Sequence, residues 1–160
     1  MGHLKKMNTD IKNIINDNIE LSKKIISELS AIESISNIAI NTLKNGNTIF
    51  LCGNGGSASD SIHIAAEIVG KFNLEDRKSL PAISLTSNQS NITSIGNDFG
   101  FDYIFSRQLE GLGKNNDLLI ALSTSGNSNN VLNAIKTAKE LDMKSVGLTG
   151  FDGGKMKKLC

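Results

Sequence analysis

The chain has 160 residues, 39% of them apolar, with 17 Lys and Arg against 16 Asp and Glu for a net charge of +1. That size and apolar share suit one globular domain with an ordinary core, and the near-neutral balance removes the electrostatic case for nucleic acid or an anionic membrane. Aromatic residues are 4% and tryptophan is absent, which argues against base-stacking platforms, and no apolar run approaches the roughly 18–20 residues that span a bilayer.

Met1-Gly2-His3 reads as tag residue and Met7 as a natural start, so residues 1–7 are expected to be an unstructured lead into a single domain over 8–160. The N-terminus lacks the apolar core of a signal peptide, and Lys6 stands where myristoylation wants Ser or Thr. The expected location is the cytoplasm. Residues 8–28 place Ile11, Ile14, Ile15, Ile19 and Leu21 near helical spacing, and a second helix is expected from Ala31 to Lys44, ending near Gly46. Their apolar faces are expected to cover the sheet or, the favoured reading, to pair with another subunit.

Thr48–Cys52 is the first predicted strand, followed by a helix from Ser57 to Phe72. Leu80–Thr86 is the second strand, entered through Pro81, the one proline. A short helical segment over Ser90–Ile95 leads to a turn at Gly96-Asn97-Asp98, and a further helix is expected over Tyr103–Leu112. Asp117–Ser123 is the third strand, Ser128–Leu141 a helix, and Ser145–Thr149 the fourth strand. A loop follows, with a helix beginning near Lys155. Strands that alternate with helices, and that lack polar alternation of their own, predict a three-layer α/β sandwich: a central parallel sheet covered on both faces. Of the two cysteines, Cys52 is expected to be a buried thiol and Cys160 a terminal one, and a zinc cluster of cysteines is excluded by number and spacing.

Ligands of such sheets bind at the carboxyl ends of the strands. Two loops lie there. Gly53-Asn54-Gly55-Gly56-Ser57 lacks the G-x-G-x-x-G fingerprint, and Ser87-Asn88, not an acidic residue, follows the second strand, so a dinucleotide site is disfavoured. No Gly-Lys-Ser/Thr occurs, which excludes a Walker loop. The second loop brings Ser123, Thr124, Ser125 and Ser128 together at a helix start, where hydroxyls and free N–H groups suit a phosphate. Two alternatives stay open: Ser128 as a simple N-cap and Ser125 as a turn former. His63 and Glu67 are four apart on one helix face, a spacing suited to a shared metal, to a base with its orienter, or to an ordinary exposed pair. Asn97-Asp98 reads either as a surface turn or as a polar pair aimed at sugar hydroxyls.

The runs Cys52–Asp60, His63–Glu67, Gly96–Gly100 and Ser123–Ser128, in one order over residues 8 to 160, resemble the sugar isomerase (SIS) domain superfamily and, within it, the phosphoheptose isomerases. The resemblance implies a flavodoxin-like fold preceded by helices, and sugar-phosphate contacts from Asn54, Gly55, Gly56, Ser57, Asn97, Asp98, Ser123, Thr124, Ser125 and Ser128. It implies zinc held by His63 and Glu67, both catalytic, with Glu67 also touching substrate as the acid/base near C1 and C2, and no nucleotide cofactor. The implied reaction is conversion of sedoheptulose 7-phosphate to D-glycero-D-manno-heptose 7-phosphate, the first step toward nucleotide-activated heptose for lipopolysaccharide or capsule, in a homotetramer with sites between subunits. Two other readings belong to the same superfamily: a non-catalytic protein that binds the replication initiator, and an isomerase of another sugar phosphate. The sequence departs from the family at Lys71, where arginine is common, and at Ser87-Asn88, where Thr-Asp is expected. The family pattern also continues past Cys160 with a strand and a helix supplying a glutamine and a histidine, so the resemblance implies that a 160-residue form is inactive or nearly so.

Overall fold

The computed structural model describes the backbone of residues 2–160 and the side chains of residues 10–160. Residue 1 of the expected unstructured lead lies outside the described backbone, and residues 2–7 are not unstructured but form the first turns of a helix that continues to Ile25. The chain divides into two compact units, residues 1–37 and 38–160.

The first unit contains helix α1 (Gly2–Ile25), a 3-10 turn at Ile26–Glu28 and the opening turns of α2 (Leu29–Lys44). The apolar stripe read from the sequence is present on α1, and it is open: Ile11, Ile14, Ile15, Ile19 and Leu21 are each 48–60% exposed in the single chain.

The second unit carries the α/β architecture. Its strands are β1 (Ile49–Cys52), β2 (Ala82–Ser84), β3 (Leu118–Ser123) and β4 (Lys144–Thr149), all parallel in the order β2-β1-β3-β4. The connecting helices are α3 (Gly56–Val69), α4 (Gln89–Asp98), α5 (Ser106–Leu112) and α6 (Asn129–Glu140). Every residue of β1 and β3 is buried, as the unalternating apolar runs require of strands covered on both faces. Phe50, Cys52, Leu119 and Ala121 face one way, into a cluster with Leu109 of α5 and Val131, Ala134, Ile135 and Ala138 of α6. Ile49, Leu51, Leu118 and Ile120 face the other way. There α3 lies on the sheet, because its Ser61 Oγ meets Ser84 Oγ at 2.8 Å and Ser84 is in register with Leu51. The result is the expected three layers. Each large side chain brought wholly inside contributes about 1.5–3 kcal/mol of transfer free energy.

Four elements differ from the sequence reading. The expected turn at Gly96-Asn97-Asp98 is the last turn of α4, because Ile92 and Ile95 pack on the core and hold the helix through Gly96; the helix ends before Gly100, whose φ is +95°. The helix expected from Tyr103 is a 3-10 turn at Phe101–Tyr103 followed by α5. β2 keeps three of the seven residues expected of it, because the Ser84, Thr86 and Ser87 hydroxyls bond locally and draw the chain out of the ladder. The helix expected from Lys155 is a 3-10 helix over Gly154–Lys158.

The buried carboxylate of Asp117 ties the entry ends of β1 and β3 together. Its Oδ1 accepts from the Thr48 amide at 2.7 Å and from Asn47 Nδ2 at 3.3 Å, and its Oδ2 accepts from the Lys114 amide at 2.9 Å. D117N weakens these charge-assisted bonds, and urea unfolding is expected to show a loss of about 1.5–3 kcal/mol. Cys52 is fully buried in the sheet, and burial, with a smaller effect from Cys160, pushes its thiol up to about 12. Iodoacetamide applied to the native protein at pH 8 is therefore expected to alkylate exposed Cys160 and spare Cys52, as peptide mass mapping will read.

Candidate functional site

The order β2-β1-β3-β4 places β1 beside β3 at the point where the chain reverses its direction of travel across the sheet. A crevice opens outside the carboxyl ends of two such strands. The two loops singled out in the sequence both end there, one after Cys52 and one after Ser123. At the first, a Cβ on Gly53 would stand 2.7 Å from the Ser57 Cβ and carbonyl oxygen, so glycine is what lets strand β1 turn directly into α3. At the second, Gly126 has φ +63°, and a Cβ there would lie 2.0 Å from the Gly153 carbonyl oxygen. The Gly150–Met156 segment seats this loop through hydrogen bonds from the Gly150 amide to the Thr124 carbonyl (3.0 Å), from the Met156 amide to the Gly126 carbonyl (3.0 Å) and from the Lys155 amide to Asn127 Oδ1 (3.1 Å).

Helices α3 and α6 both open at this crevice with no side-chain cap from the residue before them, Gly55 and Ser128. Helix α4 differs: Asn88 Oδ1 accepts from the Asn91 amide at 3.1 Å. The N-cap role open to Ser128 is thus not the one it takes. Its Oγ lies 3.2 Å from Ser123 Oγ, while Ser125 Oγ does serve its turn by accepting from the Asn127 amide at 3.2 Å. Two helix N-termini carry partial positive charge and unpaired N–H groups toward one crevice, beside paired serine hydroxyls. This suits a phosphate and needs no lysine or arginine in contact with it.

Sequence reasoning passed over Asn130, which is 2% exposed at the start of α6. Its Nδ2 donates to Asn54 Oδ1 and its Oδ1 accepts from Asn54 Nδ2, both at 2.9 Å, and the same Oδ1 accepts from the Val131 amide at 2.9 Å. It also passed over a hydroxyl knot that seats α3: Ser61 Oγ lies 2.8 Å from Ser84 Oγ and 3.1 Å from Thr86 Oγ1, which are 2.7 Å from each other. The signal for both was a polar residue at a buried helix position, a place where a partner is obligatory.

The structure does not bring every expected residue to this crevice. Ser61 and Ala65 are the buried positions of α3, and His63 and Glu67, two residues further along, sit roughly 200° around the helix, facing away from the sheet. His63 Nε2 lies 3.3 Å from Glu67 Oε1, with 76% and 41% of the side chains exposed. Along α3 they stand about 10 and 16 Å from Gly56 at 1.5 Å per residue. They line a separate cavity of about 470 Å³ with Leu43, Ile64, Lys71 and Arg77, and neither loop contributes to its lining. Arg77 braces that region by donating to the Glu67 and Gly70 carbonyls at 2.8 and 2.7 Å. Among the described residues no third His, Cys, Asp or Glu joins the pair as a metal donor. A tetrahedral zinc takes four, so this donor set does not complete one. Asn97 and Asp98 are exposed at the end of α4, with Asn97 Nδ2 donating to Asp98 Oδ1 at 2.8 Å. Asn88 and Ser87, at the end of β2, serve α4 and the Ser84 carbonyl.

A doubly wound parallel sheet with a polar crevice at its switch point, lined by two helix N-termini, defines a class of α/β domain. Within it, the SIS domain pattern matches residues 15–150, and the chain belongs to the SIS domain family. It is similar to a phosphoheptose isomerase of Aliarcobacter butzleri, 52% identical over 150 residues that make up 94% of this chain and 79% of that protein. A solved structure of a phosphoheptose isomerase from Francisella tularensis superposes with a TM-score of 0.88 at 34% identity, covering 99% of this chain and 81% of the other. Another, from Neisseria gonorrhoeae, gives 0.72 at 46% identity and covers 78% of this chain and 64% of the other.

G126A is expected to lower stability by about 2–4 kcal/mol, because the new methyl meets backbone and the φ disfavours it, and to weaken phosphate binding at the displaced loop. Denaturant unfolding and phosphate calorimetry on the variant check both effects.

Proposed function

We propose that this chain isomerises sedoheptulose 7-phosphate to D-glycero-D-manno-heptose 7-phosphate. The observation that carries the reading is the pair of uncapped helix N-termini beside the Ser123–Ser128 hydroxyl pair, a seat for the phosphate end of a sugar. The names of the relatives support a seven-carbon sugar. Phosphate held by the backbone of both loops and by the serine hydroxyls fixes one end of the substrate. Aldose–ketose interconversion then needs a proton carried between adjacent carbons and support for an enediol. Glu67 is the carboxylate suited to carry it, with His63 beside it to hold or return a proton.

Both side chains face outward from α3, so they serve a substrate seated between subunits, and the open isoleucine stripe of α1 suits the same homotetrameric assembly. A zinc at His63 and Glu67 would need further donors from outside the described residues, and no proton step above depends on it. Supply of activated heptose for lipopolysaccharide or capsule is the use this product fits. A cytoplasmic location suits such a phosphorylated substrate, and no described helix is long and apolar enough to cross a membrane.

Calorimetry is expected to show sedoheptulose 7-phosphate binding at least tenfold more tightly than glucose 6-phosphate, and NMR to show its conversion to the aldose. S128A should weaken binding about tenfold, whereas E67Q should keep binding within about threefold and lower turnover by a factor on the order of 10² or more. Equal binding of both sugar phosphates, or unchanged turnover in E67Q, contradicts the reading.

A further inference from the structure

We infer that Asn130 is a positioning residue: its reciprocal amide pair with Asn54 clasps the glycine loop to the serine loop and sets the width of the crevice between them. The inference rests on the sugar-phosphate reading for its ligand, and on the geometry for the clasp itself.

The two loops belong to helices on opposite faces of the sheet, α3 and α6, so no packing between those helices sets their spacing. Asn54 and Asn130 supply a direct link, with two hydrogen bonds of 2.9 Å made between the same pair of side chains. Two facing primary amides can donate and accept in both directions at once. Asn130 is the fixed half. It is buried, and its Oδ1 is also held by the Val131 amide in the first turn of α6. Asn54 is the loop half, and its carbonyl accepts from the Ser57 amide at 3.0 Å as the chain enters α3.

One consequence concerns how Asn54 meets a ligand. One Nδ2 hydrogen and the Oδ1 of its side chain are engaged by Asn130, so Asn54 offers a ligand its backbone, together with that of Gly55 and Gly56, and its second Nδ2 hydrogen. A second consequence concerns the ligand. A phosphate that touches both loops is recognised at a spacing set by the clasp, and loss of the clasp from either side is the same event.

N54A, N130A and the double variant N54A/N130A test this in the full chain. N130D adds a variant that retains the shape of Asn130 and loses its donor. Amide hydrogen exchange reads the clasp without any ligand. N130A and N130D are expected to speed exchange at Ser57 and Ala58 at least tenfold, and N54A to do the same at Leu132, whose amide donates to the Ser128 carbonyl. The β1 and β3 amides should change far less. Exchange that is unchanged at these positions, or raised equally throughout the sheet, overturns the clasp.

Calorimetry with inorganic phosphate reads the positioning role. Each single variant is expected to weaken binding about tenfold, and the double variant to be no more than about twofold worse than the weaker single. Effects that multiply in the double variant, or binding unchanged in both singles, overturn it. A natural chain that binds no phosphate counts against the functional reading itself, and the exchange comparison still decides the clasp.

Discussion

The parallel pairing of β1 with β3 sets the position of nearly everything else. Residues Ile49–Cys52 run in register with Leu118–Ala121, so both strands finish at the same edge of the sheet, β3 two residues beyond the end of β1. From that shared edge the chain leaves in two directions, into α3 on one face and α6 on the other. A helix N-terminus cannot satisfy its first N–H groups internally. Two of them at one edge, neither closed by a side chain of its N-cap residue, make a polar seat suited to an acceptor. Asp117 secures the opposite end of the same two strands, where it holds the Thr48 and Lys114 amides. The pairing is thus anchored at the end where the strands begin and used at the end where they finish.

The parts of this design that depend on local sequence were legible. Buried parallel strands announce themselves as short apolar runs, and β1 and β3 fell within a residue of their expected bounds. Glycines at 53 and 126 marked turns that tolerate no Cβ. The extent of α4 was less legible, because Gly96 reads as a stop, whereas the packing of Ile92 and Ile95 on the core overrides its weak propensity. Partnerships between distant segments were not legible at all. Asn54 and Asn130 are 76 positions apart, and Ser61 meets Ser84 and Thr86 across a crossover. Nothing in a linear reading pairs them until the strand order is known.

The resemblance to the phosphoheptose isomerases is strong in sequence and in backbone, and the chain spans about four fifths of the curated relative from Aliarcobacter butzleri. The site within a single chain nevertheless has two separate parts. The proposed phosphate seat lies at the carboxyl edge of the sheet. His63 and Glu67 stand on the outward face of α3, lining a different cavity. The separation has a physical origin: buried Ser61 and Ala65 fix the rotation of α3, and that rotation turns positions 63 and 67 away from the sheet. The proposed function joins the two parts through assembly, with Glu67 serving a substrate whose phosphate is held by another chain.

The central claim is that the ligand's phosphate sits between the start of α3 and the start of α6. Titration of the ¹⁵N-labelled chain with sedoheptulose 7-phosphate, followed by amide chemical shifts, tests it most directly. The account predicts that the largest shifts fall together on Gly55, Gly56 and residues 124–129, with α4, capped by Asn88, unmoved at its start. Shifts confined to one loop, or centred on Lys136, Lys155 and Lys158 around their own cavity, would contradict it.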